Sequence, residues 1–354
     1  MRLVPVGGRR HRAGGDRRPG PRFAGMAAVL ASALVLVAGC RVPGLSSSAG
    51  APSSVTATLN VVATPGVADA PLYIGIKEGL FQRAGLTINV KQLSSTRAEV
   101  EALRQGQADV AFGDYADMFY AQEQKPAPHL VIVSDGYNAQ PNVMEVLALP
   151  GHGIVSPRNL AGKSIGTAVP EEMPANVPGQ AGRPYSLETI ATQSVLTNNN
   201  VDPAFITWDP MPASNLISAL SSHQVDAILA TEPTIYQAES RLGAVPVLDS
   251  CTGQTANLPL AGYFSTHTFS TNHAAALAEF RSALLQAQAT GSMAAPVQAA
   301  LANYAQMNKQ TAALVTLGTY PTSLNAANLQ RVAQLMFFFN TIQTPVNVKA
   351  MIVH

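Results

Sequence analysis

The chain has 354 residues, enough for more than one hydrophobic core, and charged residues make up only 12% of it. Residues 1–25 hold seven Arg and one acid, which leaves 15 basic and 20 acidic residues beyond them, a net of −5 with no basic run. That distribution excludes the electrostatic footprint of a nucleic-acid binder, and two cysteines, Cys40 and Cys251, exclude a Cys-based metal motif.

Met26–Cys40 reads MAAVLASALVLVAGC. An Arg-rich stretch, a short apolar run and the small triplet Val37-Ala38-Gly39 have the layout of a secretion signal. The Cys straight after the small residues resembles the lipobox of bacterial lipoproteins. By that resemblance Cys40 is lipidated and begins the mature chain, and residues 1–40 are signal peptide. The alternative is an uncleaved anchor, but Ala24–Gly39 is shorter than the ~20 residues of a spanning helix. A start at or near Met26 stays open, as does twin-arginine export through Arg9-Arg10 or Arg17-Arg18. Residues 41–54 (RVPGLSSSAGAPSS) have the composition of a flexible tether. With Cys40 lipidated no disulfide is possible, and Cys251 is expected to be a buried small residue.

Beyond the tether, short β-rich runs alternate with amphipathic stretches, the pattern of an α/β protein with mainly parallel sheets. Leu59–Thr64 is a predicted strand and Pro71–Gln82 a helix, with Leu72, Ile76, Leu80 and Phe81 at helical spacing. Leu86–Leu93 is a strand, Arg97–Gln105 a helix, and Ala108–Phe112 a strand ending at Gly113-Asp114. His129–Ser134 and Val143–Leu149 follow as strands. A second series opens near Gly153, with strands at Lys163–Gly166, Phe205–Trp208, Val225–Ala230 and Val245–Leu248. Its helices are Leu187–Asn199, Asn215–Ser222 and Pro233–Leu242. From Thr271 onward the pattern is almost wholly helical. Leu103–Phe112 and Leu220–Leu229 echo one another at an offset of 117 residues, each placing Gln-x-Asp between a helix and a buried strand. Two lobes of similar construction account for the echo, and Asp109 and Asp226 are expected to fix turns.

Four segments carry a family resemblance. Ala70–Phe81 with Ala84-Gly85-Leu86, then Gly106–Gly113, Leu160–Thr167 and Gln224–Pro233 are similar, in order, to motifs of the solute-binding proteins of ABC importers. The nearest branch is the nitrate/sulfonate/taurine-like group, which includes binders of thiamine-precursor pyrimidines. The resemblance implies a type II periplasmic-binding-protein clamshell with two crossovers, each lobe a mainly parallel sheet flanked by helices, and a helical C-terminal region. Lobe one would be residues 55–147 and 251–354, and lobe two residues 148–250. It further implies a monomer outside the cytoplasmic membrane that closes over a small-molecule ligand and delivers it to an ABC permease and its ATPase.

In open α/β sheets, ligands lie beyond the carboxyl ends of strands, where helix N-termini present their amides. The candidate ligand-binding residues at those edges are Thr64, Pro65, Ser94, Ser95, Gly113, Asp114 and Tyr137, and in lobe two Thr167, Trp208, Asp209 and Glu232. Each has a structural alternative. Ser94 and Ser95 with Thr96 form an N-cap cluster, Thr167 could cap a turn, Asp114 and Glu232 could cap helices, and Trp208 could be core. Asp114, Asp135, Asp209 and Glu232 stand closer to the strand ends than any Arg. Two or more of them in the cleft would disfavour an oxyanion and favour a neutral or cationic organic ligand. No catalytic residue, metal or cofactor is expected: there is no Gly-x-Ser-x-Gly elbow, and His152, His223, His267 and His273 lack ligand spacing. The competing readings are an enzyme on the same fold and a ligand-sensing or scaffold lipoprotein.

Overall fold

The structure, a computed structural model, describes residues 56–169, 186–305 and 307–353. The expected signal peptide, Cys40 and the tether lie outside the described residues. The strands are β1 (Ala57–Ala63), β2 (Leu86–Gln92), β3 (Val110–Asp114), β4 (Leu130–Asn138), β5 (Met144–Ala148), β6 (Ser164–Ala168), β7 (Thr207–Met211), β8 (Ala227–Thr231), β9 (Val245–Asp249) and β10 (Pro259–Thr266). They form two five-stranded sheets, ordered β2-β1-β3-β10-β4 and β7-β6-β8-β5-β9.

The two sheets share one plan. In the first, β2, β1 and β3 are parallel, and β10 is antiparallel to both β3 and β4. In the second, β7, β6 and β8 are parallel, and β5 is antiparallel to both β8 and β9. Four of the five strands in each sheet therefore share a direction. The reversed strand is the one by which the chain enters: β5 from the first sheet, β10 on return from the second. The expected division after Leu147 falls inside β5, so the outward crossing lies at residues 139–143 and the return at 250–258.

Period-2 alternation distributes the first sheet between two layers. Leu59, Val61, Ala63, Val110, Phe112 and Tyr263 face the helices Ala70–Lys77 and Ala274–Gly291. Val62, Ala111, Ile132 and Phe264 face the opposite way, toward the helices Tyr115–Glu123 and Ala326–Phe338. The second sheet has its own cores, one built on Val146, Ile165 and Trp208 and the other on Leu147, Met211 and Ile228.

Several predicted elements change. The helix expected over Pro71–Gln82 is two helices, Ala70–Lys77 and Leu80–Arg83, because Gly79 is left-handed at φ 67°. β4 runs on to Asn138, and β7 starts only at Thr207, after a 3-10 turn at Pro203–Phe205. β10 was not expected, since Pro259 and Gly262 interrupt its strand pattern. Gly262 is required there: a Cβ would lie 2.5 Å from Tyr115 Cζ. The helical C-terminal region is broken at residues 315–325, where Thr319 pairs with Asn138 at the end of β4.

The echoed aspartates do the same job in each half. Asp109 Oδ2 accepts from Asn60 N–H at 2.7 Å and returns its own N–H to Asn60 O. Asp226 Oδ2 accepts from Ser164 N–H at 2.9 Å and returns its N–H to Ser164 O. Each pins the lead-in of its strand, β3 or β8, to the neighbouring parallel strand.

Candidate functional site

The carboxyl edge of the first sheet is rich in buried oxygen. Thr64, straight after β1, donates Oγ1–H to Glu99 Oε1 at 2.7 Å. Glu99 stands in the first turn of the helix Thr96–Arg104 and is fully buried. Its Oε2 has no hydrogen-bond partner and lies 2.7 Å from where a Cβ on Gly113 would be. Glycine at 113 thus lets the carboxylate approach the end of β3. Burial pushes the Glu99 carboxyl well above the usual carboxylate range, and Asp69 and Asp117 push it further.

Asp69 precedes the helix Ala70–Lys77 but makes no side-chain cap to it. Its Oδ1 accepts from Gly66 N–H at 3.0 Å and from Tyr304 Oη at 2.8 Å, while Oδ2 is unpartnered. Burial raises its pKa to about 7, against lowering by those two bonds. Tyr73 stacks on Tyr304 with centroids 3.6 Å apart. Tyr263, on β10, is buried with its hydroxyl unpartnered. Further acids gather at the start of the helix Tyr115–Glu123. Burial, then Glu188 and Asp117, raise Asp114; burial and Glu188 raise Asp117 to about 6, with Arg97 opposing.

The candidates divide between this edge and other duties. Thr64, Pro65, Gly113 and Asp114 lie at the carboxyl ends of β1 and β3, as the chain order implied. Ser95 caps the helix Thr96–Arg104 by accepting from Ala98 N–H, and Asp114 caps the next helix by accepting from Ala116 and Asp117. Ser94 is exposed beside Ser95. Tyr137 is in the core of the first half, where its hydroxyl accepts from Gly318 N–H. In the second half Thr167 ends buried on β6 with Oγ1 unpartnered, and Asp209 is half-buried on β7. Trp208 packs in the core among Val146, Ile165 and Val195, the structural alternative for this residue. Glu232, just past β8, accepts from Tyr236 N–H at 3.1 Å and Thr316 N–H at 2.9 Å. Asp135 is buried against Tyr115 Oη at 2.9 Å, a structural bond.

Sequence reasoning missed Asp69, Glu99, Asp117, Glu188 and Tyr263. An acid in a first helical turn is ordinarily dipole complement, and β10 itself was unseen. Asp69 directly before Ala-Pro reads in the sequence as an ordinary helix start, and only the structure shows that its carboxylate does not cap. Among the described residues no group of three or more His, Cys, Asp and Glu is placed to hold a metal ion.

The two-sheet plan with paired crossovers is the type II periplasmic-binding-protein fold. The chain resembles the periplasmic aliphatic sulphonate-binding protein SsuA of Escherichia coli at 15% identity, over 84% of this chain and 97% of that one, with TM-score 0.67. It resembles the periplasmic nitrate-binding protein NrtA of Synechocystis PCC 6803 at 10% identity, over 83% and 84%, with TM-score 0.64. The desulfurization enzyme DSZB is similar too, at 13% identity over 83% and 96%, with TM-score 0.64. No curated protein matches by sequence. The NMT1/THI5-like family model matches residues 68–299, and the chain belongs to that family.

Proposed function

We propose that the protein is an extracytoplasmic, lipid-anchored solute-binding protein that captures a small organic solute between two lobes and hands it to an ABC permease. The observation that supports the reading is buried oxygen without a hydrogen-bond partner near the carboxyl ends of the parallel strands of each sheet: Glu99 and Asp69 in the first half, Thr167 in the second. Buried polar groups without partners are costly, and a solute closing between the halves would satisfy them. The lobes of this proposal are residues 55–147 with 251–354, and 148–250, adjusted so that β5 joins the second. Cys40 supplies the membrane anchor, and the working form is a monomer.

The enzyme reading is favoured by the likeness to DSZB and opposed by Cys251. That thiol is buried in the return crossing, and burial pushes its pKa up, so it is no thiolate nucleophile. The test is a thermal-shift screen of the full chain with sulfonates, nitrate, aminopyrimidines, amines and amino acids. A ligand at about 100 times its dissociation constant adds about 2.7 kcal/mol. Recovery of the hit unchanged supports a binding protein; its conversion supports an enzyme. Capture of the cognate permease by the loaded form separates transport from sensing.

A further inference from the structure

We propose that His152 and His223 form a two-imidazole site for a divalent late transition-metal ion, Cu(II) foremost, at the amino edge of the second sheet. That edge is the opposite end of the parallel strands from the one assigned to the solute, and the site is independent of the solute-binding reading. The two rings come from loops far apart in the chain, yet their centroids are 4.7 Å apart and their planes are tilted by 42°. Both residues are exposed, so an ion can reach them from solvent.

Sheet register, not spacing along the chain, brings the pair together. β5 and β8 are antiparallel, and the last pair of their ladder is Ala148 opposite Ala227. Four residues on from Ala148 stands His152, and four back from Ala227 stands His223. Residues directly opposed across an antiparallel pair hold their side chains within reach of one another. The ladder itself has ended by this point. His152 stands in a turn between Gly151 and Gly153, at φ 85° and 75°, and His223 is left-handed at φ 58°. The rings still meet beyond it.

Imidazole is a ligand that Cu(II), Ni(II) and Zn(II) share. A ring nitrogen bound at about 2.0–2.1 Å holds its ring centroid about 3.2 Å from the metal. Two such ligands at an angle of about 90–110° have centroids about 4.5–5.2 Å apart, an interval that contains the 4.7 Å between His152 and His223. Neither ring forms a hydrogen bond to another group among the described residues, so its nitrogens are not committed elsewhere. Asp226, on the way into β8, is engaged by Ser164 and Lys163. The protein thus offers two ligands here, and solvent water completes the shell. That set suits the square-planar preference of Cu(II) and Ni(II) better than the closed four-ligand shell of a structural zinc, and the Irving–Williams order puts Cu(II) first. The other histidines are placed differently. His267 and His129 meet through backbone, His267 N–H donating to His129 O at 2.8 Å, and His273 stacks on Phe269.

The experiment is titration of the full chain with Cu(II), Ni(II) and Zn(II) in a non-coordinating buffer, read by calorimetry and, for Cu(II), by electron paramagnetic resonance. The expected result is that Cu(II) binds most tightly and that its tightest site shows nitrogen splitting from two imidazoles. His152→Ala and His223→Asn should each weaken that site roughly ten-fold or more, since one of two protein ligands is lost. Asparagine is chosen at 223 because it tolerates the left-handed backbone, and circular dichroism checks that both variants fold. His129→Ala should leave the affinity unchanged. Unaltered Cu(II) affinity in both folded variants overturns the site. So does a loss confined to His129→Ala, and so does absence of binding to the unaltered chain. The metal titration is run without solute and the solute screen with a chelator present, so failure of either leaves the other reading standing.

Discussion

Thr316 donates its backbone N–H to Glu232 Oε1 at 2.9 Å. Glu232 directly follows β8 in the second half, whereas Thr316 belongs to the loop that pairs through Thr319 with Asn138, the end of β4 in the first. The carboxyl ends of two strands from different sheets are thereby joined through one carboxylate. Its other oxygen accepts from Tyr236 N–H, so both are engaged. Glu232→Ala should cost about 1–3 kcal/mol by leaving these N–H groups unmet. Chemical denaturation would measure it. Glu232→Gln keeps one acceptor oxygen and should lose less; an equal loss would show that charge, not acceptor geometry, makes the joint.

Gly113→Ala should be destabilising, because the new methyl would lie 2.6 Å from Thr96 Cγ2, 2.7 Å from Glu99 Oε2 and 2.8 Å from Met118 Cε. Overpacking of this kind costs about 1–3 kcal/mol. The same change displaces Glu99, so it should weaken solute binding beyond what the stability loss explains. A stable variant with unaltered binding would place Glu99 outside the site.

Stability without ligand should fall as pH rises from about 4 to about 7. Asp69 and Asp135 are raised to about 7 and Asp117 to about 6, each chiefly by burial. A carboxyl raised in the folded state holds a proton there that the unfolded chain has already released. Folding then binds protons, and stability declines as pH rises through the interval between the two values. Asp226 acts oppositely: partial burial raises it, but its bonds from Ser164 and Lys163 hold it lower overall. Melting temperature against pH measures the slope. Asp69→Asn should flatten it, and an unchanged slope would show that Asp69 is not among the groups responsible.

The parts legible in the sequence were those set by local periodicity. β1, β2 and the helix after β2 fall within a residue or two of expectation, and the helical stretch after β1 has the expected outer bounds although Gly79 divides it, because apolar alternation and helical spacing are written into adjacent residues. The echo of Asp109 and Asp226 was legible for the same reason, since the pairs to Asn60 and Ser164 repeat a local design. β10 was not, because its place between β3 and β4 depends on partners more than 120 residues away, and Gly262 and Pro259 disguise it. Trp208 was ambiguous because a strand offers both a core and an edge face, and register alone decides. Glu99 and Asp69 were hidden among ordinary helix-start acids; their burial and lack of partners are tertiary facts.

Asp226→Ala should destabilise the second sheet without touching solute binding. The carboxylate accepts from Ser164 N–H at 2.9 Å, Ser164 Oγ at 3.0 Å and Lys163 Nζ at 3.3 Å, all at the start of β6 and opposite to the ligand edge. Hydrogen bonds to a charged group contribute about 1.5–3 kcal/mol each when buried, and less at this partly exposed site. Asp109→Ala, which loses the matching bond from Asn60, should behave alike in the first sheet. Loss of solute affinity in either folded variant would contradict the assignment of these residues to strand anchoring.

The helix Leu187–Asn198 belongs to both halves. Leu187, Ile190 and Ala191 pack in the core with Phe119, Leu329 and Met336, while Val195 and Leu196 pack with Val146, Ile165 and Trp208. Thr192 bonds Ser250, at the return crossing, through hydroxyls 2.7 Å apart. A helix divided in this way couples the two cores, so the described body should unfold in one transition rather than lobe by lobe. Ile190→Ala and Val195→Ala should each cost about 1–5 kcal/mol, set by how far each cavity collapses, and each should lower the single transition. If Ile190→Ala instead splits the melt into two steps, the helix is the chief coupling element and its first half is the part that carries it. Two steps in the unaltered protein would show that the shared helix does not bind the cores into one cooperative unit.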